Sequence, residues 1–218
     1  EEAVQISEAT DDVEVVTVTV GPVRTEEVIR QALAKGADRA VRVWDDSLAE
    51  ATVLDPATKA TLIAAVAREE EPDLVLTGVQ SADYSFGATG VTLASELDYE
   101  WAAVVNMLDL EDGTASVHRE LEGGIEELTD VELPAVLTIQ TGINDPRYAS
   151  LRGIRQAQSK PLDIKTLDDV GVEVGDLPLT LSSLYEPETE GEATLFEGSA
   201  EETAGQLAEL LEEKGVDA

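Results

Sequence analysis

The residues best suited to binding chemistry lie between Asp73 and Gly90, in the sequence DLVLTGVQSADYSFGATG. A short apolar run, LVL, ends near Gly78, and from about Gly87 apolar residues recur with helical spacing. This pattern predicts a strand, a loop and a helix. The loop consists mainly of small and polar residues, so its backbone can approach a ligand closely. Because open α/β sheets bind nucleotides at the carboxyl ends of their strands, this loop is the leading candidate for a binding site.

The predicted helix start favours an anionic ligand. Free N–H groups in the first turn, from Gly87 to Gly90, would face the ligand with the positive end of the helix dipole behind them. A phosphate is the natural guest of such a site. The segment is not a P-loop, because no Lys follows Gly90, and it is not a GxGxxG fingerprint. An ordinary strand-to-helix turn without a ligand therefore stays open as an alternative.

The chain carries a strong excess of negative charge. There are 47 Asp and Glu residues against 14 Lys and Arg residues, which gives a net charge of -33. The carboxylates are scattered over every segment rather than gathered in a tail. A uniform acidic coat indicates a protein of a halophilic cytoplasm, where salt screens the self-repulsion. The same charge argues against nucleic acid as a partner, since phosphates would be repelled.

Other chemistries find little support in the composition. The chain has no Cys and one His, which excludes disulfides and makes a zinc or haem site improbable. His118 is therefore expected to be a packed or surface residue without a catalytic role. No apolar run approaches the length that spans a bilayer, and the sequence predicts no integral membrane segment.

Strand and helix alternate three times in the first part of the chain. Strands are predicted at residues 13–20, 39–44 and 74–77, and a helix begins after a Thr25 N-cap and ends at Gly36. A second helix is predicted to begin at Asp55-Pro56 and to close before Pro72. The alternation predicts an α/β fold with a doubly wound, mostly parallel, Rossmann-like sheet.

After residue 97 the pattern changes to consecutive strand-like runs separated by Gly-containing turns. They predict an antiparallel meander of four strands, at residues 101–110, 114–121, 125–133 and 135–141. A Pro-bounded loop and a short basic helix follow. Residues 171–198 are strand-poor and predict an extended arm, and the chain closes with a helix that Ser199 and Glu202 begin as a capping box.

Several segments together resemble the small (β) subunit of electron transfer flavoproteins. They are GADRAVRV, DLVLTGVQSAD followed by TG, VHRELEGGIEE and NDPRYASLRGI, and the match extends from residue 1 to about residue 173. The resemblance implies a heterodimer whose large (α) subunit carries a redox-active FAD, while the small subunit binds an adenine nucleotide, usually AMP. Electrons pass from acyl-CoA or other flavin dehydrogenases to the FAD and on to a quinone oxidoreductase or another acceptor. The chain would thus be an electron carrier subunit rather than an enzyme.

The resemblance also implies a division of the chain and a set of nucleotide-binding residues. Residues 1–165 would form the nucleotide-binding domain, and residues 166–218 an arm and helix that contact the large subunit. We call residues 78–89 the nucleotide loop. The implied nucleotide-binding residues are Val20, Gly78, Val79, Gln80, Ser81, Ala82, Asp83, Tyr84, Ser85, Phe86, Gly87, Ala88, Thr89 and Gly90.

Within this loop the chain departs from the family at residues 84–88. Backbone N–H donors tolerate such changes, whereas side-chain contacts to the nucleotide become less certain. Some members of the family bifurcate electrons and bind a second FAD in place of AMP. Their loop is typically followed by a Val-Gly-Pro turn, and because Thr89-Gly90-Val91 stands here, AMP is the favoured ligand.

Two further surfaces follow from the resemblance. We call Tyr148, Leu151, Arg152 and Arg155 the docking surface, because a leucine at this position plugs an apolar pocket of the dehydrogenase in the family; core packing of a short helix is the alternative. Arg119 and Glu120 occupy the place of a polar hinge contact to the flavin domain of the large subunit. An ordinary cross-strand ion pair is the alternative there.

A function of another class also stays open, namely a freestanding domain that binds or hydrolyses an adenine nucleotide. A hydrolase would need an Mg²⁺-carboxylate pair or a base beside the phosphate, and only Asp83 is near. Family members also begin with a strand and a loop ahead of the Glu-Glu-Ala-Val that opens this sequence. That strand is expected between residues 13–20 and residues 74–77, so the chain as given is expected to be an incomplete domain.

The acidic composition leads to a prediction about salt. At low ionic strength the carboxylates repel one another, whereas at about 1 M salt the screening length falls to about 3 Å. The melting temperature should therefore rise steeply as KCl is increased from millimolar to molar concentrations, as measured by circular dichroism. A melting temperature that does not respond to KCl would remove the argument for a halophilic protein.

Overall fold

A computed structural model describes residues 1–49, 53–175, 179, 181–186 and 195–215 of the chain. The chain divides into two units, Glu1–Leu181 and Ser182–Ala218. The described helices and strands are α1 (Glu2–Ala9), β1 (Val16–Val20), α2 (Glu26–Lys35), β2 (Arg39–Val43), α3 (Pro56–Glu70), β3 (Leu74–Gly78), α4 (Thr89–Leu97), β4 (Glu100–Glu111), β5 (Thr114–Glu120), β6 (Glu126–Glu132), β7 (Ala135–Ile139), α5 (Leu151–Ala157), β8 (Leu162–Lys165) and α6 (Ala200–Glu213).

The first sheet has three parallel strands in the order β1-β2-β8. Alternate residues of β2 face opposite sides of this sheet. Val41 and Val43 pack with Leu62 and Val66 of α3, whereas Ala40 belongs to the cluster beneath α2. Strand β8 was not predicted from the sequence, because four residues that alternate weakly give little periodic signal.

The second sheet has five strands in the order β3-β7-β4-β5-β6. Strands β4, β5 and β6 form the predicted antiparallel meander. The prediction that residues 135–141 continue this meander is wrong, because β7 pairs in parallel with β3 on one side and β4 on the other. Four of the five β7 residues are buried, a pattern typical of a central parallel strand covered on both faces.

A bulge bends β4 where it passes beside β7. The pairing register shifts between Ala102 and Val105, and Val104 lies in the left-handed region with φ 62°. The backbone N–H of Val104 donates to Oγ1 of Thr138, which lies on β7, at 3.0 Å. The buried Thr138 hydroxyl thus satisfies an amide that the bulge removes from the ladder.

Strands β1 and β3 are end strands of their respective sheets. Within the described part of the chain, each pairs with one strand only, β1 with β2 and β3 with β7. These are the two edges between which one more strand is expected from the sequence. That expectation stays a prediction.

Helix α3 packs against elements of both sheets. Leu62 and Val66 cover the three-stranded sheet, and Ala60 and Ala64 pack in a cluster with Leu93 of α4 and Val75 of β3. The predicted start of α3 is confirmed, because the buried carboxylate of Asp55 accepts the N–H groups of Ala57 and Thr58 and the Thr58 hydroxyl. This cap satisfies amides that the helix itself leaves free.

Two other predicted helix starts have different outcomes. Thr25 stands at the N-cap position of α2, but its hydroxyl donates to the carbonyl of Pro22 and caps no amide of the helix. The capping box of α6 is confirmed, with Ser199 and Glu202 bonded reciprocally. None of the residues of α6 is buried within its own unit. Among the described helices, none has the length and hydropathy needed to cross a membrane.

Candidate nucleotide and docking sites

The nucleotide loop leaves the carboxyl end of β3, as predicted, and is almost entirely exposed. The helix that follows begins at Thr89 with Ala88 as its N-cap, two residues later than the Gly87 start expected from the sequence. Gly87 instead has φ 60° and belongs to the loop. The amides of the first helical turn that could face an anion are therefore those from Thr89 onward.

The loop is shaped by its own polar residues. The backbone N–H of Ser85 donates to the carbonyl of Ser81 at 3.0 Å, and Ser85 takes a left-handed conformation with φ 51°. The Ser81 side chain, together with the N–H of Tyr84, holds the pKa of the Asp83 carboxyl below its ordinary value. Asp83 is thus a charged, hydrogen-bonded part of the loop. Its pKa is lowered, whereas a general base at neutral pH needs a raised one.

Two of the residues that depart from the family, Tyr84 and Phe86, form an aromatic pair. The rings of Tyr84 and Phe86 stack in parallel, with centroids 6.1 Å apart, and Nζ of Lys59 lies 5.4 Å from the centre of the Tyr84 ring. Sequence reasoning missed Lys59, although a signal existed. Because α3 leads into β3, the first turn of α3 lies at the same sheet edge as the loop. Lys59 brings a positive charge to that edge.

Gly90 allows α4 to lie directly on the sheet. A Cβ atom built at Gly90 would stand 2.4 Å from Oγ1 of Thr77 and 2.5 Å from Cγ2 of Thr138. Both threonines belong to strands, β3 and β7 respectively, so the contact fixes the helix start relative to the strand that carries the loop. The structure thus gives Gly90 a packing role, and its nucleotide-binding role stays a prediction.

Val20 lies on a different sheet from β3, the strand that leads into the nucleotide loop. Val20 ends β1, in the three-stranded sheet, and no hydrogen bond within the described residues joins it to the nucleotide loop. The turn after Val20 is held by Arg42, whose buried guanidinium donates to the carbonyl of Gly21 at 3.1 Å and lies 3.4 Å from a carboxylate oxygen of Glu26. Among the described residues, this region makes no polar contact to the loop, and the role of Val20 as a wall of the pocket stays a prediction.

Helix α5 displays the docking surface to solvent. The Ser150 side chain accepts the N–H of Gly153 and begins the helix. Leu151 is 79% exposed and Tyr148 98% exposed, with Ile154 exposed beside them. The alternative that Leu151 packs into the core of this unit is therefore wrong for the chain by itself. Arg152 and Arg155 are exposed on the same short helix, and neither forms a salt bridge with any described residue.

The loop ahead of α5 is attached to α1. The guanidinium of Arg147 donates to the carboxylates of Glu1 and Glu8 at 2.6–3.0 Å, and Asn144 donates to Glu2 at 2.6 Å. The side-chain bond to Arg147, with its backbone N–H, lowers the pKa of the Glu1 carboxyl to about 2. These contacts were not predicted, because nothing in the local pattern links residues so far apart in the chain.

The two hinge residues differ in their surroundings. Arg119 donates to the carbonyl of Ala103 at 3.0 Å and to Glu127 at 3.1 Å, so its guanidinium is engaged within the sheet. Glu120 is exposed and accepts only from the side chain of Gln140, at 3.2 Å, within the described chain. Together with Gln140 it lines a shallow depression of about 380 Å³. Of the two, Glu120 is the better placed to contact a partner.

The remaining titratable groups form no further site in the described part of the chain. His118 lies on β5 with its Nδ1 3.7 Å from a carboxylate oxygen of Glu126. Its side chain is 29% exposed, so it is a partly buried surface residue. No group of three or more His, Asp or Glu side chains among the described residues is arranged to hold a metal ion.

Comparisons with known proteins agree with the resemblance. The electron transfer flavoprotein domain family matches residues 1–170. The chain is 46% identical to the electron transfer flavoprotein subunit beta of Methylophilus methylotrophus, over 98% of this chain and 82% of that protein. It is 38% identical to the subunit beta of Sus scrofa, over 86% and 72%. It is 33% identical to the caffeyl-CoA reductase-Etf complex subunit CarD of Acetobacterium woodii, over 99% and 84%.

The close approach at Gly90 can be tested by substitution. Gly90→Ala should destabilise the protein by about 1–3 kcal/mol, because the added methyl group overpacks two strands. Gly78→Ala is the matched control, since nothing lies within 4 Å of a Cβ at Gly78; its effect should stay within about 0.5 kcal/mol. The measurement is urea unfolding followed by circular dichroism. Equal stability of the two variants would contradict the packing at Gly90.

Proposed function

We propose a specific role for this chain, which belongs to the electron transfer flavoprotein family. Its relatives in that family are named β subunits, which are electron carriers rather than enzymes. It binds AMP as a structural ligand and pairs with a large subunit that carries FAD. Flavin dehydrogenases such as acyl-CoA dehydrogenases dock on the small subunit and reduce that FAD. The FAD then passes its electrons to a quinone oxidoreductase or a similar acceptor.

The observation that carries this proposal is the docking surface on α5 and the loop ahead of it. A fully exposed Tyr148 and a Leu151 exposed to 79% are costly to leave in water unless a partner covers them. Arg152 and Arg155 flank Leu151 on a protein whose net charge is -33. An apolar anchor with a basic rim suits a partner that has an apolar pocket surrounded by acidic groups.

The nucleotide loop supports the choice of AMP. Its exposed backbone, the amides from Thr89 onward and Lys59 can receive a phosphate without any side-chain contact from the residues that depart from the family. The stacked pair of Tyr84 and Phe86 offers an aromatic face at the same loop. Val20, at the end of β1, would supply a wall on the other side of the ligand.

The arm and the hinge complete the proposed heterodimer. Helix α6 has an apolar stripe that includes Leu207 and Leu211, both well exposed, and no residue of the helix is buried in its own unit. We assign this stripe to the large subunit. Glu120 is assigned to the flavin domain of that subunit, because its carboxylate is exposed and accepts one bond from the described residues, that of Gln140. The acidic composition suits a heterodimer that works in a halophilic cytoplasm.

The first experiment identifies the bound nucleotide. The heterodimer, produced by co-expression with its large subunit, should release about one AMP per dimer when it is denatured. Chromatography of the released material against AMP, ADP and FAD standards measures this directly. Two FAD per dimer and no AMP would replace the AMP proposal by the electron-bifurcating type. Turnover of ATP by the chain alone would instead indicate a freestanding hydrolase.

The second experiment tests the anchor. Leu151→Ala should raise the half-saturating concentration of reduced acyl-CoA dehydrogenase about tenfold, because the anchor loses its pocket contact. The absorbance of the FAD and the melting temperature should not change. Val28→Ala is the matched control, since Val28 is an apolar helix residue exposed to 64% outside the docking surface. Normal saturation by the Leu151 variant would contradict the docking proposal.

A further inference from the structure

We propose that Arg147 is a positioning residue, which fixes the docking surface by attaching the loop ahead of α5 to helix α1. The inference rests on the docking function proposed above and goes beyond it. It assigns to α1, a helix that contains no docking residue, the task of holding the loop that carries Tyr148.

The geometry shows a fork that joins one guanidinium to two carboxylates. Nε and Nη2 of Arg147 bond Glu1 at 2.9–3.0 Å, and Nη1 and Nη2 bond Glu8 at 2.6 and 2.8 Å. The backbone N–H of Arg147 also donates to Glu1, at 2.9 Å. Both the side chain and the main chain of the loop are therefore held by one face of α1.

Burial distinguishes this attachment from an ordinary surface ion pair. The side chain of Glu1 is only 6% exposed and that of Arg147 34% exposed, whereas Glu8 is 58% exposed. Glu1 is thus the inner partner and Glu8 the outer one. Asn144 adds a third contact to α1, through Glu2 at 2.6 Å, three residues earlier in the same loop. Exposed pairs contribute little alone, but a bidentate network with a shielded member holds its geometry.

The carboxyl-terminal end of α5 is held separately. Arg30 of α2 donates to the carbonyls of Ala157 and Lys160 at 2.7 and 2.9 Å. Lys160 returns a bond to the carbonyl of Leu33 at 3.1 Å. A Cβ at Gly153 would stand 2.3 Å from the carbonyl oxygen of Ala34, so α5 also lies very close to α2. With its far end fixed on α2, the helix depends on Arg147 for the course of the chain that enters it.

The position of Tyr148 makes this dependence direct. Tyr148 follows Arg147 immediately and is almost fully exposed, so no packing of its own holds it. Within the described residues, its backbone is fixed by the neighbouring Arg147 and by the Ser150 cap. Release of the guanidinium would let this stretch sample other conformations, and a partner would then have to order it on binding.

A lysine cannot replace the arginine in this role. An ammonium group is a point charge, whereas the planar guanidinium presents donors to two carboxylates in a fixed fork. Arg147→Lys should therefore keep the charge and lose part of the positioning. The chain also provides a control of the same kind, because Arg39 bridges Glu14 and Glu70 at the start of β2 with a similar exposure of 29%.

The experiment compares Arg147→Gln with Arg39→Gln in the co-expressed heterodimer. Hydrogen exchange read by mass spectrometry should show faster exchange in residues 141–150 in the Arg147 variant only, about tenfold at the amide of residue 147, whose N–H donates to Glu1. The half-saturating concentration of reduced acyl-CoA dehydrogenase should rise about fivefold in that variant, with an unchanged limiting rate of FAD reduction. Arg147→Lys should give intermediate values for both.

Each outcome decides between the proposals. Exchange in residues 141–150 that matches the Arg39 variant would overturn the positioning role, and so would faster exchange with unchanged half-saturation. If Arg147→Gln fails to fold, Arg147→Lys and Glu8→Gln provide the same two measurements. A normal response of Leu151→Ala would refute the docking surface itself, and the exchange data would still show whether Arg147 holds the loop.

Discussion

The contacts of Thr138 connect the two parts of the five-stranded sheet on which the candidate nucleotide site depends. Its hydroxyl accepts the amide that the bulge of β4 releases at Val104, and its methyl group stands where a side chain at Gly90 would have to go. One buried residue of β7 therefore meets the bend of the meander on one side and the start of α4 on the other. The nucleotide loop runs from the end of β3 to the start of α4. The position of its second end therefore depends on the packing of Thr138 against Gly90.

The surroundings of the basic residues show how an acidic protein can still offer specific surfaces. Arg39, Arg119 and Arg147 are each committed to glutamates within the described chain, where they fasten one element to another. Arg152 and Arg155 on the docking surface form no such pair with described residues. In a chain of net charge -33, these are basic groups beside an exposed leucine. For the docking proposed above, they would attract a partner with acidic groups, which the carboxylates elsewhere on the chain would repel.

The sequence predicts those features that depend on neighbouring residues. The cap at Asp55, the capping box at Ser199 and the strand, loop and helix around Gly78 all have local signals, and all are found. Leu151 was expected to be exposed, and it is. Features that join distant residues escaped prediction, among them the parallel pairing of β7, the place of Lys59 and the attachment of Arg147 to α1. A strand shows in its sequence that it is buried on both faces, but it does not show between which neighbours it lies.

The position of β7 also imposes an order on folding. The meander of β4, β5 and β6 can form from contacts between neighbours in sequence, whereas β3 finds its only described pairing partner in β7, which is synthesised after the meander. Until residues 135–139 arrive, β3 lacks the only pairing partner described for it, and closing this long connection is entropically slow. A nascent chain that pauses between β6 and β7 would thus hold the apolar strand β3 without that partner, a state open to misassociation. The nucleotide loop begins where β3 ends, so one of its two ends is attached to a strand whose described pairing waits for β7.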